Sequence, residues 1–244
     1  MPSLAIAELL EVWERGLAQP PVQRGLALLA LAHPETPREN LARFTIGQRN
    51  ASLLKLREQI FGAQLVSLAK CGRCSEQLEL TFAVAEILTA GEAESAEALA
   101  VERGDYTVRF RLPNSEDLML AAQPNHIAAA QQRLFERCVL QAQHHEATIA
   151  VSALPIEVRQ EVAERMAQAD PQADVQLALT CARCGQQTQV RFDVVSFLWN
   201  EINAWACRLL QQVHILASAY GWREAEILAM HPWRRQLYLE MIRS

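Results

Sequence analysis

Along the first 62 residues, apolar side chains recur at helical spacing. Leu9, Leu10, Trp13 and Leu17 put one stripe on a helix over residues 4–17, with Gly16 near its end. Gln19-Pro20-Pro21 breaks the pattern, and residues 22–32 follow as a short, strongly apolar helix stopped by His33-Pro34 and Pro37. After Thr45-Ile46-Gly47, a third stripe of Leu53, Leu54, Leu56 and Ile60 predicts a helix over residues 48–61 that ends at Gly62. Each stripe reads as a core-facing surface.

The period then drops from about 3.6 to 2. Leu78, Leu80 and Phe82 alternate with Glu79 and Thr81, as on a half-buried strand. Residues 91–100, rich in Ala and Glu, read as a connection or a weak helix. Residues 106–112 alternate again, Pro113-Asn114-Ser115 makes a turn, and Ser115-Glu116-Asp117 opens a helix. Pro124-Asn125 punctuates the chain before an amphipathic helix predicted over residues 127–142, through Leu134, Phe135, Cys138 and Val139. Leu154-Pro155 opens another helix, which runs to Ala169 and is terminated by Asp170-Pro171. Strands are expected over residues 175–179 and 189–192.

The C-terminal helix is the most strongly specified element. Asp193 is a good N-cap, and Phe192 and Phe197 occupy the N′ and N4 positions of a hydrophobic staple. Leu198, Ile202, Trp205, Leu209, Val213, Leu216 and Tyr220 then recur at spacings of four and three, and Gly221 is a natural C′ residue. A short helix over residues 222–230, a His231-Pro232 turn and a last helix over residues 233–242 complete the chain. This arm can pack at home or dock on a partner, with Trp205, Tyr220, Trp222 and Trp233 as its candidate partner-binding side chains.

Two cysteine pairs change the picture. Cys71-Gly-Arg-Cys74 and Cys181-Ala-Arg-Cys184 stand 110 residues apart, and their surroundings match at the same offset. Arg73 corresponds to Arg183, Gln77 to Gln187, Leu80 to Val190, Phe82 to Phe192, Val84 to Val194 and Leu88 to Leu198. A duplicated half-site with two thiolates per copy is what a tetrahedral four-cysteine zinc centre needs. The expected ligands are Cys71, Cys74, Cys181 and Cys184, and the expected cofactor is a structural Zn2+. Four thiolates leave no open position for water or substrate, which argues against metal catalysis. A thioredoxin-like pair would open a helix after a strand, and neither CxxC does so. Disulfides are the other alternative. With no basic, apolar leader after Met1-Pro2-Ser3-Leu4, a reducing compartment is the expectation, where thiols bind metal more often than they oxidise. Cys138 and Cys207 read as buried small hydrophobes.

The fold expected from these patterns is α+β and predominantly helical. Duplicated zinc-ribbon-like β-hairpins form one four-cysteine site between N- and C-terminal helices. Residues 1–62 form a helical region, 63–193 the duplicated core with a small sheet built on the two hairpins, and 194–244 the long helix and helical tail. Half of the 244 residues are hydrophobic, ample for a packed core, and no uncharged apolar run is long enough for a membrane span. The formal charge of −5, from 23 basic and 28 acidic residues without long runs, speaks against nucleic acid. There is no phosphate loop, HExxH or G-x-S-x-G elbow, so an enzyme is not expected. His144-His145 reads as a solvated turn, and His214 and His231 lack carboxylates at matching spacing.

The apolar N-terminal block, the Leu-rich helix at Leu53, the two knuckles and the run from Phe192-Asp193 through Trp199 to Tyr220-Gly221-Trp222 resemble baseplate proteins of contractile-tailed phages. The resemblance is to the T-even-type family of baseplate hub assembly chaperones, as carried by prophages and phage-derived contractile injection systems. It implies a non-enzymatic assembly factor that binds baseplate hub or wedge proteins in the cytoplasm of the producing bacterium, or stays in the particle's baseplate. The competing expectation is a zinc-ribbon regulator that binds nucleic acid, which a basic face of Arg73, Arg109, Arg183 and Arg191 would favour.

Overall fold

The computed structural model describes residues 6–88, 98–121 and 126–243. Expectations for residues 4–5 and 91–97 and for Pro124-Asn125 fall outside them. Four helices come first: α1 (Ile6–Gly16), α2 (Pro21–Ala32), α3 (Arg38–Ala42) and α4 (Ile46–Phe61). α2 starts on Pro21, where a missing N–H costs nothing. α4 begins two residues earlier than its apolar stripe suggests because Thr45 caps it. The Thr45 hydroxyl accepts from Gln48 N, and the Gln48 side chain accepts from Thr45 N. α3 has no counterpart in the sequence expectations, since five residues hold too little periodicity.

Next comes an antiparallel hairpin of β1 (Gln64–Lys70) and β2 (Gln77–Ala83), followed by the single turn α5 (Val84–Ile87). β1 also escaped the sequence reading. Its Val66 and Leu68 are exposed, so the buried positions do not carry the hydrophobic alternation.

A four-stranded antiparallel sheet follows, from β3 (Leu99–Arg103), β4 (Tyr106–Phe110), β5 (Val139–His144) and β6 (Ala147–Thr148), in that spatial order. α6 (Ser115–Ala121) and α7 (Ile127–Cys138) connect β4 to β5, and α8 (Ile156–Ala169) follows the sheet. The helix expected over residues 127–142 therefore stops at Cys138, and the connection or weak helix expected up to Ala100 gives way to β3 from Leu99. In both places backbone pairing decides: β4 lies between β3 and β5 and supplies the hydrogen bonds of each. The apolar spacing of Leu134, Phe135, Cys138 and Val139 fits a helix equally well, so the sequence pattern does not mark the change.

The last segment holds the hairpin of β7 (Gln176–Thr180) and β8 (Gln187–Arg191), then α9 (Val194–Tyr220), α10 (Glu224–Ala229) and α11 (Pro232–Arg243). α9 has the expected caps. Asp193 accepts from Ser196 N, Phe192 and Phe197 pack at a ring distance of 4.9 Å, and Gly221 takes the left-handed conformation at φ 69°. The expected small sheet on both hairpins is instead two separate two-stranded sheets, with the four-stranded sheet between them in sequence.

The two hairpins keep one register at an offset of 110. Val66 faces Thr81 as Gln176 faces Arg191, and Lys70 faces Gln77 as Thr180 faces Gln187. Leu65 and Val175 are buried at equivalent places, as are Val84 and Val194. All four join the largest core cluster, together with Leu9, Trp13, Leu28 and Leu53 from the N-terminal helices and Leu198, Trp199 and Ile202 from α9. Burial of each such side chain stabilises by about 1.5–3 kcal/mol. The core thus unites the chain's start, both hairpins and the long helix. Arg57 adds a two-bond clasp on Glu201, at 2.8 and 2.7 Å, between α4 and α9. A second cluster fills the space between the four-stranded sheet and α8, and a third holds Val213, Leu216, Ile227 and Leu239.

Candidate metal centre

Each CxxC forms the tip of its hairpin by the same two hydrogen bonds. Cys71 N donates to Glu76 O and Ser75 N to Cys71 O, while Cys181 N donates to Gln186 O and Gly185 N to Cys181 O, all at 2.9 Å. The residue after the second cysteine is left-handed in both, Ser75 at φ 58° and Gly185 at φ 71°. That turn folds both sulfurs of a pair to one side. Phe82 and Phe192, equivalent in the two copies, then meet edge to face at 5.6 Å and hold the hairpins against each other.

The result is a cluster in which all four Sγ atoms lie within 4.8 Å of one another. Cys71 Sγ is 3.7 Å from Cys184 Sγ, and Cys74 Sγ is 3.7 Å from Cys181 Sγ. Each contact joins the first cysteine of one knuckle to the second of the other, as an approximate twofold relation requires. A disulfide needs about 2.05 Å, so these are thiols. A tetrahedron of sulfurs around an ion at about 2.3 Å has edges of about 3.8 Å. The donor set and its spacing fit a four-coordinate metal ion. Cys71 and Cys181 are buried, whereas Cys74 and Cys184 are half-buried.

The local electrostatics favour thiolate at one position first. Backbone N–H groups of Cys74 and Arg73 point at Cys71 Sγ and bring its pKa down to about 6. For Cys184, the N–H of Gln186 works in the same direction, but burial and the neighbouring thiols push the value up to about 12. At Cys74 the N–H of Glu76 is likewise outweighed by burial and by Cys181 and Cys71, so the pKa is raised. Four negative sulfurs cannot share this space without a cation among them.

Two of the four arginines of the expected basic face are paired with carboxylates, and a third lies in another sheet. Arg183 pairs with Glu76 across the two hairpins at 2.8 Å, and Arg191 pairs with Asp174 at 2.7 Å. Arg109 lies on β4 in the other sheet, opposite Ala100 and Gln141. The isolated cysteines diverge: Cys138 is buried, and burial pushes its thiol up to about 12, whereas Cys207 is exposed on α9, contrary to expectation. Its position falls between the apolar rows that face the core.

The four aromatic residues of the C-terminal arm have different fates. Trp205 packs against the main core and lines a cleft of about 1070 Å³ together with Leu31, Leu56, Ile60 and Arg235. Tyr220 stacks on Trp222 at 4.5 Å, and Trp222 meets Tyr238 edge to face at 4.8 Å, which ties α9 to α11. Trp233 alone of the four is largely exposed, at 67%.

One cluster lies outside the sequence expectations. Asp105, His144 and His145 gather where the β3–β4 and β5–β6 turns adjoin. Gly104-Asp105 between two alternating segments is the turn signal that could have placed them. Among the described residues, no helix is long and apolar enough to cross a membrane.

No curated protein and no solved structure matches the chain. A family model described as T4 bacteriophage base plate protein matches residues 31–199, from the end of α2 through both cysteine knuckles into α9. The matched segment is more than half of the chain, which therefore belongs to the T4 bacteriophage base plate protein family.

Proposed function

We propose that this chain is a non-catalytic, chaperone-like assembly factor for the baseplate hub of a contractile tail. In this reading it binds a hub or wedge subunit in the cytoplasm of the producing cell and carries one structural Zn2+ on Cys71, Cys74, Cys181 and Cys184. The observation that carries it is the family match across a segment whose four-thiol cluster offers a metal no open position.

When bound, the ion would supply a fixed crosslink between residues more than 100 positions apart, and no reactive water. The chain's own residues do the rest. A two-stranded hairpin alone is marginal in water, so each knuckle relies on Leu65, Phe82, Val175 and Phe192 at its base. The thiols fasten the tips. Two zinc-ribbon-like hairpins held at both ends become a rigid ledge on which Val66 and Leu68 stand exposed. Trp233 on α11 offers a second apolar contact, and large exposed side chains of this kind suit protein partners.

Deletion of the gene in a strain that makes the particle tests this reading. The expected result is sheath and tube subunits made in normal amounts with incomplete baseplates, and the tagged protein co-purifying with a hub or wedge subunit. Complete, infective or contractile particles from the deletion strain would overturn it.

A further inference from the structure

Two turns of the four-stranded sheet meet at one edge. The β3–β4 turn is Gly104-Asp105, with Arg103 paired to Tyr106, and the β5–β6 turn is His145-Glu146, with His144 paired to Ala147. His145 N donates to Asp105 O at 2.9 Å and locks the turns together. One oxygen and two imidazole nitrogens result, all within 4.8 Å of one another.

We propose that Asp105, His144 and His145 form a second metal site, for a borderline divalent cation such as Zn2+ or Ni2+, independent of the four-cysteine cluster. Two imidazoles and a carboxylate are the donor set such ions prefer over Ca2+ or Mg2+, which take oxygen ligands. The geometry is partly in place. His145 Nε2 lies 3.3 Å from Asp105 Oδ2, close to the separation of about 3.3 Å between donors that each stand about 2.0 Å from a tetrahedral ion. His144 is held from one side by its stack on Tyr106, its cross-strand partner, at 4.4 Å and 22°. Its ring centre is 4.4 Å from that of His145, and one of its nitrogens lies within 4.8 Å of the other two donors. The site sits at the surface, where Asp105 and His145 are exposed and an ion needs no entry path. Three protein ligands leave a fourth position to water.

The test titrates Zn2+ into the zinc-loaded full-length protein, with calorimetry for stoichiometry and amide NMR shifts for location. A second equivalent is expected, with shifts confined to the turns around Asp105 and His145. His144→Gln and Asp105→Asn should each weaken it by about tenfold or more, since even the loss of a supporting partner costs that much. His214→Gln, on α9, should leave it unchanged, and all three variants should keep their metal-free melting temperature. The absence of a second equivalent would overturn the proposal. So would a second equivalent that survives His144→Gln, or shifts that map to another histidine.

Discussion

Gly47 and Asp170, 123 positions apart, meet at the first turn of α4. Gly47 N donates to Asp170 Oδ2 at 2.9 Å, and a Cβ at position 47 would fall 1.7 Å from Asp170 Oδ1. The carboxylate ends α8 and at the same time satisfies an orphan N–H at the positive end of α4, inside the protein. Neighbouring Asn50 extends the joint by donating to Gln172 O at 3.1 Å. Gly47→Ala should therefore lower the stability read from urea melts by about 1–3 kcal/mol through overpacking. Asp170→Ala should cost about 1–3 kcal/mol by leaving the buried N–H unpaired. Because the second change clears the space that the first one needs, the double variant should lose less than the sum.

On the proposed zinc, Cys71→Ser and Cys181→Ser should each reduce the metal held at the cysteine cluster below one per chain and lower the melting temperature together. The base of each hairpin belongs to a core that does not need the ion, so chelation should loosen the tips rather than unfold the chain. Hydrogen exchange should rise in β1, β2, β7 and β8 and change little in α4 and α9. Full metal content in the Cys71→Ser protein would remove the four-cysteine assignment.

The parts of this fold that the sequence spells out are those with local chemistry. The caps of α9 and the CxxC turns each depend on residues within a few positions. The offset of 110 is legible as a repeat of such local patterns, and it reappears as an identical strand register. What stayed hidden depends on partners distant in sequence. β5 carries apolar spacing that a helix would also use, and it becomes a strand because β4 is waiting with free backbone groups. β1 puts Val66 and Leu68 outward, against the usual correspondence of hydrophobicity and burial. The cysteine cluster was legible because the spacing itself encodes it. The Asp105–His144–His145 cluster was not, since two turns 40 positions apart have to be paired before the residues meet.

Asp117 is fully buried at the start of α6 and accepts from two guanidinium groups. Arg111 holds it through two bonds at 2.6 and 2.8 Å, Arg137 through one at 2.9 Å, and Asn114 N through one at 3.1 Å. Burial works to raise its pKa, but these donors outweigh it and hold the carboxyl below the usual range. A depressed value means that the unfolded chain takes up the proton first. The stabilisation is then complete above the ordinary aspartate value of about 3.9 and is lost as pH falls through the folded value. Asp117→Asn should cost about 3–5 kcal/mol at neutral pH, because two arginines lose their counter-charge. The gap between wild type and variant should close below about pH 4.

In the C-terminal arm a core side chain and an exposed one stand close in sequence, so folding and the proposed binding can be tested separately. Ile227 is fully buried with Leu216 and Leu239, so Ile227→Ala should cost about 2–5 kcal/mol. Trp233 stands exposed one helix further on, and Trp233→Ala should change stability by no more than about 0.5 kcal/mol. If α11 docks on a baseplate subunit, the same substitution should weaken co-purification. Equal affinity of wild type and Trp233→Ala would take the tail out of the interface.

Salt dependence distinguishes a protein partner from nucleic acid. A protein that neutralises several phosphates releases counterions, and its affinity falls by about 10³–10⁵ between roughly 50 and 200 mM salt. This chain has a net charge of −5, and two of the arginines a basic face would need are already engaged, Arg183 by Glu76 and Arg191 by Asp174. Freeing them for phosphate would break both pairs and still leave the carboxylates beside the ligand. The binding proposed through Val66, Leu68 and Trp233 would rest instead on apolar area, which salt screens little. The complex with a hub or wedge subunit should therefore keep its affinity within about tenfold over that range, while retention on DNA stays at background. Steep loss of DNA retention with rising salt, abolished by Arg183→Ala, would transfer the assignment to a nucleic-acid-binding regulator.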